Sequence, residues 1–118
     1  MKISKILVLT VCIGLAVLSL NSCKRCKGED PNAKITNRGS IKASVQIKTS
    51  GGNTVNINNV DPGTSSPSSS FAPGEVVFTI TVDNKNYVDT VLMQDCFEYD
   101  IAIDANNIIT TTASDRND

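Results

Sequence analysis

The chain has 118 residues, eleven Lys+Arg against twelve Asp+Glu, a formal net charge of −1 and no histidine. Without histidine there is no Ser-His-Asp or Cys-His catalysis and no histidine-bearing zinc site. The near-neutral balance argues against a nucleic-acid partner, which calls for a basic patch and a high pI.

In chain order, Lys2 and Lys5 form a short positive start, and residues 6–20 follow as fifteen positions without a charge. A spanning helix needs about 20 apolar residues to cross ~30 Å of hydrocarbon. Fifteen is short for that and suits the apolar region of a secretory signal, which runs about 7–15 residues behind a positive start. The competing reading is an uncleaved N-terminal anchor helix. Residues 1–22 are therefore set apart from the fold as a signal peptide.

The tetrapeptide Leu20-Asn21-Ser22-Cys23 resembles the lipobox of bacterial lipoproteins. That resemblance implies cleavage before Cys23, acylation of Cys23 and anchoring in the cell envelope. Lys24 and Arg25 precede Cys26 where small residues are wanted, and Cys12 leaves with the signal. One acyl chain binds a membrane only marginally, at ~0.8 kcal/mol per buried methylene, so stable anchoring takes two or more; the lipidated cysteine of this family carries two or three. By the same resemblance, Lys24 in place of an aspartate disfavours retention in an inner membrane. Glu29-Asp30 resembles the acidic patch that directs some Bacteroidota lipoproteins to the cell surface. The expected location is the outer membrane, on its periplasmic face or at the surface.

Cleavage leaves 96 residues with a net charge of about −3, enough for one small domain. Charge is unevenly spread: residues 24–48 carry seven basic and two acidic side chains, and residues 83–118 carry two basic and eight acidic. Compensation across neighbouring strands is the expected outcome, and a split binding surface the alternative. Residues 23–33 read as a tether, charged and interrupted by Gly28 and Pro31.

From there on the pattern has period two, the mark of half-buried strands. After a short first strand at residues 34–37, Ile41, Ala43, Val45 and Ile47 face one way, and Lys42, Ser44, Gln46 and Lys48 the other. Gly51-Gly52 turns the chain into a strand with Val55, Ile57 and Val60, which Asp61-Pro62-Gly63 stops. Residues 64–70 (TSSPSSS) are low-complexity and polar, with too little to bury to order themselves. Val76, Phe78, Ile80 and Val82 face inward, and residues 83–86 make a hairpin-type turn. Residues 87–93 form a strand whose parity is ambiguous. Phe97, Tyr99, Ile101, Ile103 and Ala105 alternate with Glu98, Asp100, Ala102 and Asp104; a turn and a closing strand at residues 108–112 follow.

Six or seven strands in about 80 residues predict an all-β fold, a small antiparallel β-sandwich over residues 34–113 with a tail at 114–118. The alternating run from Tyr99 to Asn107 resembles the Y-x-V-x-V-x-A-x-N strand of fibronectin type III domains. It implies a fibronectin III/immunoglobulin-like arrangement, although the chain has no tryptophan.

Chemistry is sparse. Cys23 and Cys26 have metal or redox spacing, but acylation would consume Cys23 and no second pair exists. Cys26 and Cys96 then remain outside the cytoplasm, where an even number suggests a disulfide; two independent thiols are the alternative. Cys96 shares the parity of Glu98 and Asp100 and is expected to face outward. Glu98, Asp100 and Asp104 could act as an acid/base set, but the expected reading is a solvated strand face, because such a site wants a cleft and aromatic platforms. Asp104, Asn106 and Asn107, or Asp83, Asn84 and Asn86, offer oxygen ligands for calcium, and commonplace turns read the same way. No cofactor is implied. The expectation is an anchored, non-enzymatic binding or structural module contacting the lipid membrane through Cys23, with an envelope protein or glycan as partner. The alternative is a small envelope hydrolase using the carboxylate face.

Overall fold

The computed structural model describes residues 26–117. The expected signal peptide, the expected cut site and Cys23 lie outside the described residues. Eight strands fold in chain order: β1 (Asn32–Arg38), β2 (Ala43–Lys48), β3 (Thr54–Val60), β4 (Ser69–Ser70), β5 (Gly74–Val82), β6 (Lys85–Met93), β7 (Phe97–Asp104) and β8 (Ile109–Asp115). They form two four-stranded sheets, β4-β1-β7-β8 and β3-β2-β5-β6, packed face to face as a small β-sandwich.

The core follows from alternation. Ala43, Val45 and Ile47 of β2 meet Val76, Phe78, Ile80 and Val82 of β5 inside one sheet; Ile35 of β1 and Tyr99, Ile101 and Ile103 of β7 supply the other. Fully burying a side chain of this size is worth about 1.5–3 kcal/mol. The β5–β6 hairpin closes on Asp83 and Asn84, with φ of 53° and 63°. Both lie in the left-handed region that a two-residue type I′ turn requires, which Asp and Asn tolerate better than most side chains. Strand β6 resolves its parity: Val91 and Met93 are buried, while Val88 and Leu92 are 61% and 69% exposed on the outer face.

Several local expectations change. Ile41 is 49% exposed rather than inward, because β2 begins only at Ala43 and Ile41 lies on the turn before it. Val60 reaches the core through a register shift opposite Ala43 and Val45, with Asn59 at φ 57°. The extra residue of a bulge flips the side-chain phase, so Val60 points inward where strict alternation from Val55 and Ile57 would place Asn59. Ala105 is exposed, beyond the end of β7.

The serine-rich segment is ordered, contrary to its composition. The Ser66 N–H donates to Ile35 O at 2.8 Å, and the Ile35 N–H donates to Ser66 Oγ at 3.0 Å. The Asn37 N–H donates to Thr64 O, and β4 pairs with Asn32 and Ala33. The segment satisfies the otherwise open edge of β1 with its backbone, and Phe71 buries itself at its end. That source of order requires no apolar periodicity.

Among the described residues all ladders are antiparallel except one: β1 runs parallel to β7, in register from Asn32↔Glu98 to Arg38↔Asp104. In the immunoglobulin order the first two strands are sheet neighbours. Here β1 crosses to the opposite sheet, so the likeness lies in the two-sheet architecture rather than in strand order. The parallel ladder also answers the charge asymmetry. It places Lys34 beside Asp100 and Arg38 beside Asp104, and Arg38 Nη2 lies 3.9 Å from Asp100 Oδ2.

Candidate functional site

At one end of the sandwich, the first and the last of the described residues are fastened together. Cys26 and Cys96 form a disulfide with Cα atoms 5.7 Å apart. Cys96 does not face outward from β7. It precedes the strand at φ 66° and is 6% exposed, so strand parity does not extend to it. Its N–H donates to Glu29 O at 2.9 Å, and its carbonyl accepts the Arg116 N–H at 2.9 Å. The Cys26 N–H donates to Asn117 Oδ1 at 2.7 Å, and Arg116 Nη2 donates to Asp30 O at 2.7 Å. Residues 26–31, read as part of the tether, are therefore strapped onto the domain, and β1 begins at Asn32. Residues 114–117, read as a tail, complete β8 and clasp that strap. Arg116 and Asn117 went unnoticed in the sequence because nothing in their local pattern marks a contact with residues some 90 positions earlier.

The carboxylates expected to share a face do so only in part. Glu98 and Asp100 lie on the outer face of β7, in a shallow groove of about 380 Å³ whose lining includes Lys34, Ser68, Thr112 and Ser114. Asp100 Oδ1 accepts the Thr36 hydroxyl at 2.6 Å. Asp104 Oδ1 accepts the N–H groups of Asn106 at 2.8 Å and Ile108 at 3.0 Å, capping the β7–β8 turn. Glycosidase-type chemistry places two carboxyls on opposite sides of the bond to be broken. These three come from one strand, two are engaged in holding local structure, and what remains is a negatively biased open surface around Glu98.

The calcium candidates are likewise occupied with turns. Asp104 caps its own loop, Asp83 and Asn84 form the hairpin, and Asn86 Oδ1 accepts the Thr81 hydroxyl at 2.7 Å. Among the described residues no three acidic or cysteine side chains converge on a common point.

The end opposite the disulfide carries the β1–β2, β5–β6 and β7–β8 turns. Between them lies a depression of about 110 Å³, lined in part by Asp83, Lys85, Tyr87, Asp104 and Asn107. Asn37, 1% exposed, holds its floor. Asn37 Nδ2 donates to Ile41 O at 2.8 Å and Val60 O at 2.9 Å, and Asn37 Oδ1 accepts the Gly39 N–H at 2.9 Å. Sequence pattern assigned this residue no role; an asparagine at the end of a strand, two residues before Gly39, is the one signal it offered.

No protein-family model, curated protein or solved structure matches the chain.

Proposed function

We propose that this chain is a lipid-anchored protein of the bacterial cell envelope, cut before Cys23, acylated there, and displaying its sandwich as a binding or structural module at the outer membrane. The observation that carries the reading is the order of features at the N-terminus: a positive start, an uncharged run of fifteen, and Leu20-Asn21-Ser22-Cys23 only three residues ahead of Cys26. Support comes from the Cys26–Cys96 bond, since such bonds persist in oxidising compartments outside the cytoplasm. Only residues 24 and 25 separate Cys23 from Cys26 in the sequence, a span of at most about 10 Å. A link this short holds the disulfide end toward the membrane and directs the depression around Asp83, Lys85 and Asp104 outward. The partner in this reading is an envelope protein or a glycan.

Metabolic labelling with a fatty acid tests the anchor. Cys23→Ser should abolish the label and leave the precursor uncut, while Cys26→Ser should keep both label and cleavage. A label that persists in Cys23→Ser removes the anchor and the orientation that depends on it.

A further inference from the structure

The two open sides of the sandwich are built differently. On one side β4 is only two residues long, β3 carries the bulge near Asn59, and the serine-rich segment covers β1. Such features blunt a sheet edge against adding another strand. On the other side β8 is seven residues long, has no proline or lysine, and among the described residues pairs only with β7.

The hydrogen-bond phase of β8 follows from its two ends. The Asp104 N–H donates to Ile108 O at 3.1 Å, and the Arg116 N–H donates to Cys96 O at 2.9 Å. Antiparallel bonding alternates along the strand, so Thr110, Thr112 and Ser114 bond to β7. Ile109, Thr111, Ala113 and Asp115 then turn their N–H and C=O groups to the free edge. Their side chains face the interior, because Thr111 and Ala113 stand opposite the buried Ile101 and Tyr99. Both are nevertheless exposed. Between the sheets on this side, the Thr111 hydroxyl donates to Asp89 Oδ2. Core-facing positions left in water beside an unpaired edge leave room for one more strand.

We propose that the β8 edge takes up an extended segment of a partner protein by strand addition. A row of alternating donors and acceptors at strand spacing is matched by a polypeptide backbone, which is the basis of β-augmentation. Its inward positions carry small apolar side chains that cover Thr111 and Ala113. Its outward positions carry lysine or arginine, because Ser114 is paired with the exposed Glu98, and a long cationic side chain reaches across β8 to that carboxylate. A second copy is disfavoured: two β8 strands joined antiparallel about a two-fold axis place their disulfide ends in opposite directions, away from a common membrane. That exclusion rests on the proposed anchoring; the edge itself does not.

The test uses the mature lipidated protein in detergent micelles and a synthetic peptide, Lys-Val-Lys-Ala-Lys-Val-Lys, titrated to millimolar concentration while backbone amides are followed by NMR. Expected are shifts confined to β8 and its neighbours, with slowed solvent exchange at the Thr111 and Ala113 amides. Ala113→Pro removes a free-edge donor without breaking the β7–β8 ladder, and should lose the shifts while keeping the folded spectrum. If that variant does not fold, Thr111→Lys places a charge at an inward position and serves the same purpose. Glu98→Lys should weaken binding of the cationic peptide, and a peptide with glutamate in place of lysine should not bind. The proposal is overturned by absent shifts, by shifts that survive both edge variants, or by a dimer of the protein that Ala113→Pro dissolves, since a second copy then holds the edge. Fatty-acid labelling reports separately on the anchor.

Discussion

Breaking the Cys26–Cys96 bond should destabilise the domain without opening it. The bond joins residues 70 positions apart, and closing a loop of that length lowers the entropy of the unfolded chain by about 4 kcal/mol at 25 °C in the chain-entropy model. That is a large share of the roughly 5–15 kcal/mol that holds a domain of this kind together. The native state loses far less. With the sulfurs parted, the strap is still held by the Glu29–Cys96, Cys26–Asn117 and Asp30–Arg116 hydrogen bonds, and β1 stays locked between β4 and β7. Urea unfolding followed by circular dichroism on the oxidised protein, the reduced protein and a Cys26→Ala/Cys96→Ala double variant separates the two effects. The reduced and double-variant proteins should keep the oxidised far-UV spectrum and agree with each other, both about 3–4 kcal/mol less stable than the oxidised form. A difference below about 1 kcal/mol would show that the unfolded chain is not a free loop and refute the entropic account. Loss of the native spectrum on reduction would show that the clasp by Arg116 and Asn117 is too weak to hold the strap.

Substitutions at two buried positions probe the interior. Ile47→Asp places an unpaired carboxylate in the core and should unfold the domain, whereas the exposed neighbour Lys48→Asp should stay within about ±0.5 kcal/mol, both read by thermal melts; equal effects would contradict the strand parity. Asn37→Ala strands the buried Val60 carbonyl, at about 1–3 kcal/mol for a buried group left unsatisfied, and also frees the part-buried Ile41 carbonyl and Gly39 N–H. Asn37→Asp should be worse at neutral pH, because a carboxylate then faces two carbonyl oxygens; a milder effect than alanine would mean the pocket relaxes or admits water.

What the sequence determined by itself was the local, periodic part. Alternation in β2, β5 and β7 identifies the buried faces because a pleated strand sends successive side chains to opposite sides, whichever strand lies beside it. The Asp83-Asn84 hairpin was legible for a similar reason: its residues tolerate the backbone angles that the turn needs. The Cys26–Cys96 pair was also expected, from a cysteine count that sets Cys12 and Cys23 aside. Tertiary structure alone decided where β1 goes. Its parallel ladder with β7 depends on a crossing between sheets that no period in the chain encodes, and that ladder in turn brings the basic first third against the acidic last third. It also ordered residues 64–70, whose hydrogen bonds to β1 come from the backbone and so leave little mark in composition. Cys96 turned inward and Val60 joined the core because a positive φ and a bulge shift the side-chain phase, and each arises from the partner strand or the neighbouring end of the fold. The strap and its clasp lay furthest from sequence reasoning: the hydrogen bonds that join residues 26–30 to residues 116–117 span 86 to 91 positions, and form only when the folded sheets bring the two ends of the domain together.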